Sequence, residues 1–141
     1  MAAPSDITYA GTGMQVGDGR EAEVLTGVLP APQTATATAT LTVAQVLGKV
    51  LVGDPSTSAA TYTLPTAEAL DAAIPNRKVN TTFDLTIINL GTSTGVITVA
   101  VGTGITLVGM ATLPITTAAG SSGTWRFRKT GTAAWTAYRV S

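Results

Sequence analysis

The sequence contains no cysteine and no histidine. Those absences exclude disulfides, thiolate nucleophiles and Cys-ligated metal centres, together with the usual general base at neutral pH and the commonest metal ligand. Aromatic residues make up 5% of the 141 and charged residues 11%, so a core has to rest largely on aliphatic side chains and little of the surface is ionic. Eight basic and eight acidic side chains cancel, which leaves no polycationic footprint for duplex DNA or an anionic bilayer. No nucleic-acid or membrane partner is therefore expected. The most apolar stretch, Gly95 to Met110, is broken by Gly102, Gly104 and threonines and falls short of the about 20 residues that span a bilayer. The opening MAAPSDITYAGTG places an acid and no base before Arg20, unlike the basic start of a secretory signal, so a soluble chain without such a signal is expected.

What is abundant is threonine, 27 of the 141 residues. With valine and isoleucine it biases the chain toward extended structure, because β-branched side chains fit a pleated surface better than a helix. At 14.2 kDa the length suits one domain, and size scaling would bury about two-thirds of the unfolded surface if the whole chain joined it.

Residues 1–33 differ from the rest. They hold Asp6, Asp18, Glu21 and Glu23 against Arg20 alone, with five glycines and the pair Pro30 and Pro32. Their apolar residues are too scattered to bury one another, which predicts an extended N-terminal arm: either a disordered tail or a strand packed on its own domain, or a segment that orders on a partner through Ile7, Tyr9, Met14 and Val16. From Thr34 to Val43 the run TATATATLTV has a strict period of two, read as a strand with Ala35, Ala37, Ala39, Leu41 and Val43 on one face, or, over Thr34 to Thr38, as a flexible Ala/Thr linker. Ala44 to Leu47 suits one helical turn, and Lys49 to Val52 a short strand closed by Gly53, Asp54 and Pro55. After a strand at Thr61 to Leu64, Thr66 caps the helical run AEALDAAI, which Pro75 stops.

Asn80 to Leu90 alternates, with Phe83, Leu85 and Ile87 on one face; Val96 to Val101, Ile105 to Val108 and Leu113 to Thr117 follow as short strands. Thr124 to Lys129 and Ala134 to Val140 flank a turn and predict a hairpin. The expected fold is all-β: an antiparallel β-sandwich or jelly-roll-like body over residues 34–141, with one short helix and an arm over residues 1–33.

Chemistry is sparse. GTGMQVGDG at Gly11 to Gly19 has the glycine density of a phosphate loop without its Lys-Ser or Lys-Thr, and Asp18, Glu21 and Glu23 miss the calcium-loop spacing and read as a solvated turn. Glu68, Asp71 and Asp84 could in principle supply a glycosidase carboxylate pair, but nothing completes such a site, so neither enzyme activity nor a cofactor is expected. In WRFRK the period of two turns Trp125 and Phe127 inward and Arg126 and Arg128 outward, where they can meet a neighbouring subunit's acids or stack on a ring. Ile88 opposite Ile87, and Val96 opposite Ile97, make strands apolar on both faces and candidates for intersubunit contact.

The segments YTLPTAEALDAAIPNRKVNTTFDLTIINLG, VGTGITLVG and SGTWRFRKTGTAAWTAYRVS, within Tyr62 to Ser141, resemble a β-rich module of tailed-bacteriophage virion proteins that include capsid decoration (cement) proteins and fibre-like proteins. The resemblance implies a homotrimer seated on the outer surface of the capsid, its arm reaching over subunits of the major capsid protein. A receptor- or glycan-binding head of a fibre or spike is the competing expectation.

Overall fold

Extended structure dominates the computed structural model, which describes residues 27–114 and 120–141. The strands are β1 (Gln33–Ala35), β2 (Ala39–Thr40), β3 (Val50–Gly53), β4 (Ala60–Thr63), β5 (Thr82–Asn89), β6 (Ile97–Ala100), β7 (Ile105–Val108), β8 (Thr112–Leu113), β9 (Ser121–Gly131) and β10 (Ala134–Arg139). Two helices, α1 (Val43–Leu47) and α2 (Ala67–Ala73), lie between them. The β-rich class expected from threonine and valine is therefore what forms. Residues 27–32 precede β1 without regular structure, and Gln33 already pairs with Leu51 of β3.

The antiparallel arrangement expected from the strand spacing does not form. One sheet has six strands in the order β1-β3-β5-β9-β10-β7 and the other four in the order β2-β4-β6-β8, and both are mixed. Five of the eight pairings are parallel: β1 with β3, β3 with β5, β2 with β4, β4 with β6, and β7 with β10. From β1 to β8, successive strands alternate between the sheets. From β1 through β6 each strand thus returns to its own sheet parallel to the one before after a detour through the other, whereas β8 returns antiparallel to β6; α1 and α2 lengthen two of the parallel detours as such crossovers require. The short segments between strands bridge layers instead of closing hairpins. Among the described residues only β9 and β10 form a tight hairpin, with β9 antiparallel to β5 as well, so that the hairpin fills the sheet between β5 and β7.

The run TATATATLTV is likewise not one strand. It splits into β1 in the large sheet and β2 in the small one, bends at residues 37–38, and ends inside α1. Alanine and threonine are too small to cover either face over ten residues, so each half pairs where a sheet edge is open. Side chains fix the break: Thr38 Oγ1 accepts from Thr61 N at 3.0 Å, and Gln45 Nε2 donates to Thr34 O at 2.9 Å. The pattern Thr42-x-x-Gln45 is a capping box, with Thr42 N donating to Gln45 Oε1 at 2.8 Å and Gln45 N to Thr42 Oγ1 at 3.2 Å. The expectation of a single short helix is corrected to two. The second, α2, starts where the sequence placed it, with Thr66 Oγ1 accepting from Ala69 N at 3.1 Å.

The few aromatics are concentrated where they exclude most water. Trp125, Trp135, Tyr62 and Phe127 are fully buried between the sheets with Leu51, Leu85, Ile87, Ile97 and Leu113, and Val46 of α1 and Leu70 of α2 join the same cluster. Phe83 stacks on Phe127 with centroids 4.7 Å apart and meets Trp135 edge-on at 5.4 Å. Gly53 lies opposite Ala35 in register, and its lack of a side chain lets Tyr62 pass: an added Cβ would sit 2.8 Å from Tyr62 Oη and 2.5 Å from Ile97 Cδ1. Tyr62 Oη then donates to Ala35 O at 2.7 Å, tying edge strand β1 to the core.

Candidate functional site

Polar side chains gather in three places. The first lies under the hairpin turn. Asp71 projects from α2 and its carboxylate accepts from Lys129 Nζ, from Ala133 N at 2.8 Å and from Trp135 Nε1 at 2.8 Å. Lys129 shares the inward parity of Trp125 and Phe127, and its side chain keeps only 10% of its exposure, so its charge needs this partner. The Lys129 hydrogen bond, aided by the Ala133 and Trp135 donors, holds the Asp71 carboxyl below the usual carboxylate range against the opposing effect of burial. This arrangement locks the helix to the hairpin.

The second is the open end between the sheets. Arg139, inward like Trp135 and Ala137, lays its guanidinium over the Trp125 ring at 4.5 Å and reaches the carbonyls of Met110 and Thr112, each at 3.4 Å. Gly123 makes room for it, since a Cβ there would fall 2.4 Å from Arg139 Cζ. Burial lowers the Arg139 pKa from its ordinary value without removing the charge. The ring-stacking role foreseen for the outward arginines is taken by Arg139.

The third is the outer face of the six-stranded sheet. Parity turns Asp84, Thr86 and Ile88 of β5 and Ser122, Thr124, Arg126 and Arg128 of β9 away from the core. In register, Asp84 sits opposite Arg126, Thr86 opposite Thr124, and Arg128 between Thr82 and Thr136. Arg126 grips Asp84 with two parallel bonds, Nε to Oδ1 and Nη2 to Oδ2, both 2.8 Å. That contact lowers the Asp84 pKa and raises that of Arg126, chiefly through the hydrogen bonds. Both side chains remain well exposed, at 42% and 54%. The hydroxyls of Thr86 and Thr124 lie 2.9 Å apart. Lys49, Val50, Thr82, Phe83, Asp84, Thr86 and Arg126 line a shallow groove of about 510 Å³ on this face. Arg128 has no acid within salt-bridge distance among the described residues, and its buried Nε has no hydrogen-bond partner.

Of the residues expected to meet other chains, Ile7, Tyr9, Met14 and Val16 lie outside the described residues. Arg126 and Arg128 face outward as expected, but Arg126 is already engaged by Asp84 of its own chain. Ile88 is half-buried on the outer face of the large sheet, beside Val52 in register. Val96, also half-buried, precedes β6 of the small sheet, so the fold does not bring the two together. The sequence reading missed Lys49 and the Asp71–Lys129 pair; the inward parity of Lys129 was the available signal for the latter. No protein family, curated protein or solved structure matches the chain.

Proposed function

We propose that the chain is a structural protein of a tailed-phage virion, a decoration or cement protein that sits as a homotrimer on the outer surface of the major capsid protein shell. The resemblance of Tyr62 to Ser141 to virion modules supplies the class. The observation that carries a structural role is the use made of carboxylates in the body: Asp71 and Asp84 are each engaged by a cation of β9, Asp71 in a largely buried pair and Asp84 in an exposed one. What the body offers a partner is a threonine-lined sheet face and short edge strands, suited to protein contact through backbone pairing. The body is best described as a two-layered sandwich, a reading supported by the single core cluster drawn from both sheets. In the trimer, residues 1–33 act as capsid-docking arms and Ile88, Val96, Arg126 and Arg128 are the candidate subunit contacts. Three arms on one assembly raise effective concentration, so contacts too weak singly can reinforce a shell.

One feature favours a second reading, a receptor- or glycan-binding head: the groove beside Asp84 and Arg126 combines hydroxyls, a carboxylate and cations within reach of a sugar. Purified protein mixed with capsids that lack it separates the two. The cement reading expects co-sedimentation with capsids, a measured mass three times the 14.2 kDa protomer, and greater heat resistance of the particle. Binding to cells or glycan arrays with no affinity for capsids would overturn it.

A further inference from the structure

The neutrality of the chain hides a division of charge. Residues 1–26 hold Asp6, Asp18, Glu21 and Glu23 against Arg20, a side-chain charge of 1 − 4 = −3; the rest holds seven bases and four acids, 7 − 4 = +3. Two of those seven bases are withdrawn, Lys129 against Asp71 and Arg139 on Trp125, and two more, Arg77 and Lys78, are exposed next to each other between α2 and β5. The outer face of the six-stranded sheet is different. Lys49, Arg126 and Arg128 stand there against Asp84 alone, and Arg128 has no acid at all among the described residues. Arg128, half-buried on a sheet face lined by threonines, thus carries a charge that no described acid balances.

We propose that the chain's own acidic segment, Asp18 to Glu23, docks across this face and brings Glu21 and Glu23 to the row of Arg126 and Arg128. Spacing favours it. Residues two apart on an extended segment project to the same side about 6.7 Å apart, and Arg126 and Arg128 are two apart on β9 with the same repeat. Reach favours it too. The chain emerges at β1, the edge of the same sheet, and β9 lies three strands in, about 14 Å away. Residues 24–32 can span about 30 Å when extended, enough to return to β9 from that edge. The tether keeps the local concentration of the segment high, so ion pairs that are weak individually suffice to hold it. The site concerns the free protein and stands apart from the capsid reading, since it requires no other chain.

The absence of cysteine makes the test direct: Ala22→Cys carries a single nitroxide label in the otherwise complete chain. Paramagnetic broadening of backbone amide signals is then read at low salt. The expected result is loss of the signals of Thr82, Arg126, Arg128 and Thr136, with those of the four-stranded sheet retained. The lost signals should return in 1 M salt, where the screening length falls to about 3 Å, and in Glu21→Gln/Glu23→Gln, which leaves the body untouched. Arg128→Gln should restore them as well, with an unchanged thermal midpoint showing that the body is intact. Broadening that is absent or spread evenly over the surface overturns the proposal. So does broadening seen only when labelled chains are mixed with isotope-enriched unlabelled ones, which would assign the segment to a neighbour. Heparin that shifts the signals of this face equally in the parent chain and in the Glu21→Gln/Glu23→Gln variant would show a face open to external polyanions, and would overturn it too.

Discussion

Replacing Asp71 by alanine removes one carboxylate and leaves three donors without their acceptor: Lys129 Nζ, Ala133 N and Trp135 Nε1. Hydrogen bonds to a charged group contribute about 1.5–3 kcal/mol each, and breaking one side of a buried ion pair costs about 3–5 kcal/mol. The Asp71 side chain keeps 22% of its exposure, so water reclaims part of that loss and about 3 kcal/mol is expected for Asp71→Ala. With a urea dependence of about 1.5 kcal/mol per molar, the denaturation midpoint should fall by about 2 M, and the melting temperature by about 10 °C. Tryptophan fluorescence suits the assay, because Trp135 is itself a partner. Adding Lys129→Met to the alanine variant should recover part of the loss by removing the stranded buried charge. The folded Asp71 pKa lies below its unfolded value, so its contribution is fully present above about pH 4 and is lost as pH falls through the folded pKa. The alanine variant should therefore show a shallower acid limb than the parent. A midpoint within about 0.3 M urea of the parent, or a double variant no better than the single one, would refute the reasoning.

The remaining expectations are smaller. Gly53→Ala should cost about 1–3 kcal/mol by forcing Tyr62 and Ile97 apart, seen in the same urea assay; an unchanged midpoint would show that the close approach is readily relieved. Tyr62→Phe should cost about 1 kcal/mol and speed amide exchange in β1, since the tie to Ala35 O is gone. The Tyr62 hydroxyl is pushed up to about 12, first by burial and then by the charge of Asp54, so an ultraviolet titration should show a phenol ionising well above its ordinary range, a step absent in the variant. Arg139→Met should expose Trp125 and cost about 1 kcal/mol, with its emission shifted to the red; emission unchanged from the parent would rule out the guanidinium as the cover of that ring.

Much of the local structure was legible. Period two in TTFDLTIINL placed Leu85 and Ile87 in the core, and the same rule applied to WRFRK separated Trp125 and Phe127 from Arg126 and Arg128. Thr66 and Pro75 framed α2, because capping and the loss of a backbone donor act over a few residues only. TATATATLTV misled because periodicity states which residues share a face but not which sheet will pair with them. The capping box that starts within it and ends just beyond, Thr42 to Gln45, was a local signal that outweighed alternation. At the candidate site, the outward arginines were legible, whereas Lys49 came to the groove through the pairing of β3 with β5, a contact between segments more than 30 residues apart in sequence.

The absence of cysteine and histidine, the wealth of threonine and the alternation along β5 and β9 were enough to determine a β-rich chain without metal-ligating imidazoles or thiols. These are properties of residue types and of neighbours two apart, and they need no tertiary structure. The winding between two mixed sheets was decided only in three dimensions, because a short strand pairs with whichever edge the rest of the chain leaves open. The roles of the charges were decided there as well. Asp71 and Asp84 are ordinary carboxylates in the sequence, and only the arrival of Lys129 and Arg126 from the distant hairpin made Asp71 a largely buried tie between helix and hairpin and Asp84 one half of a surface ion pair.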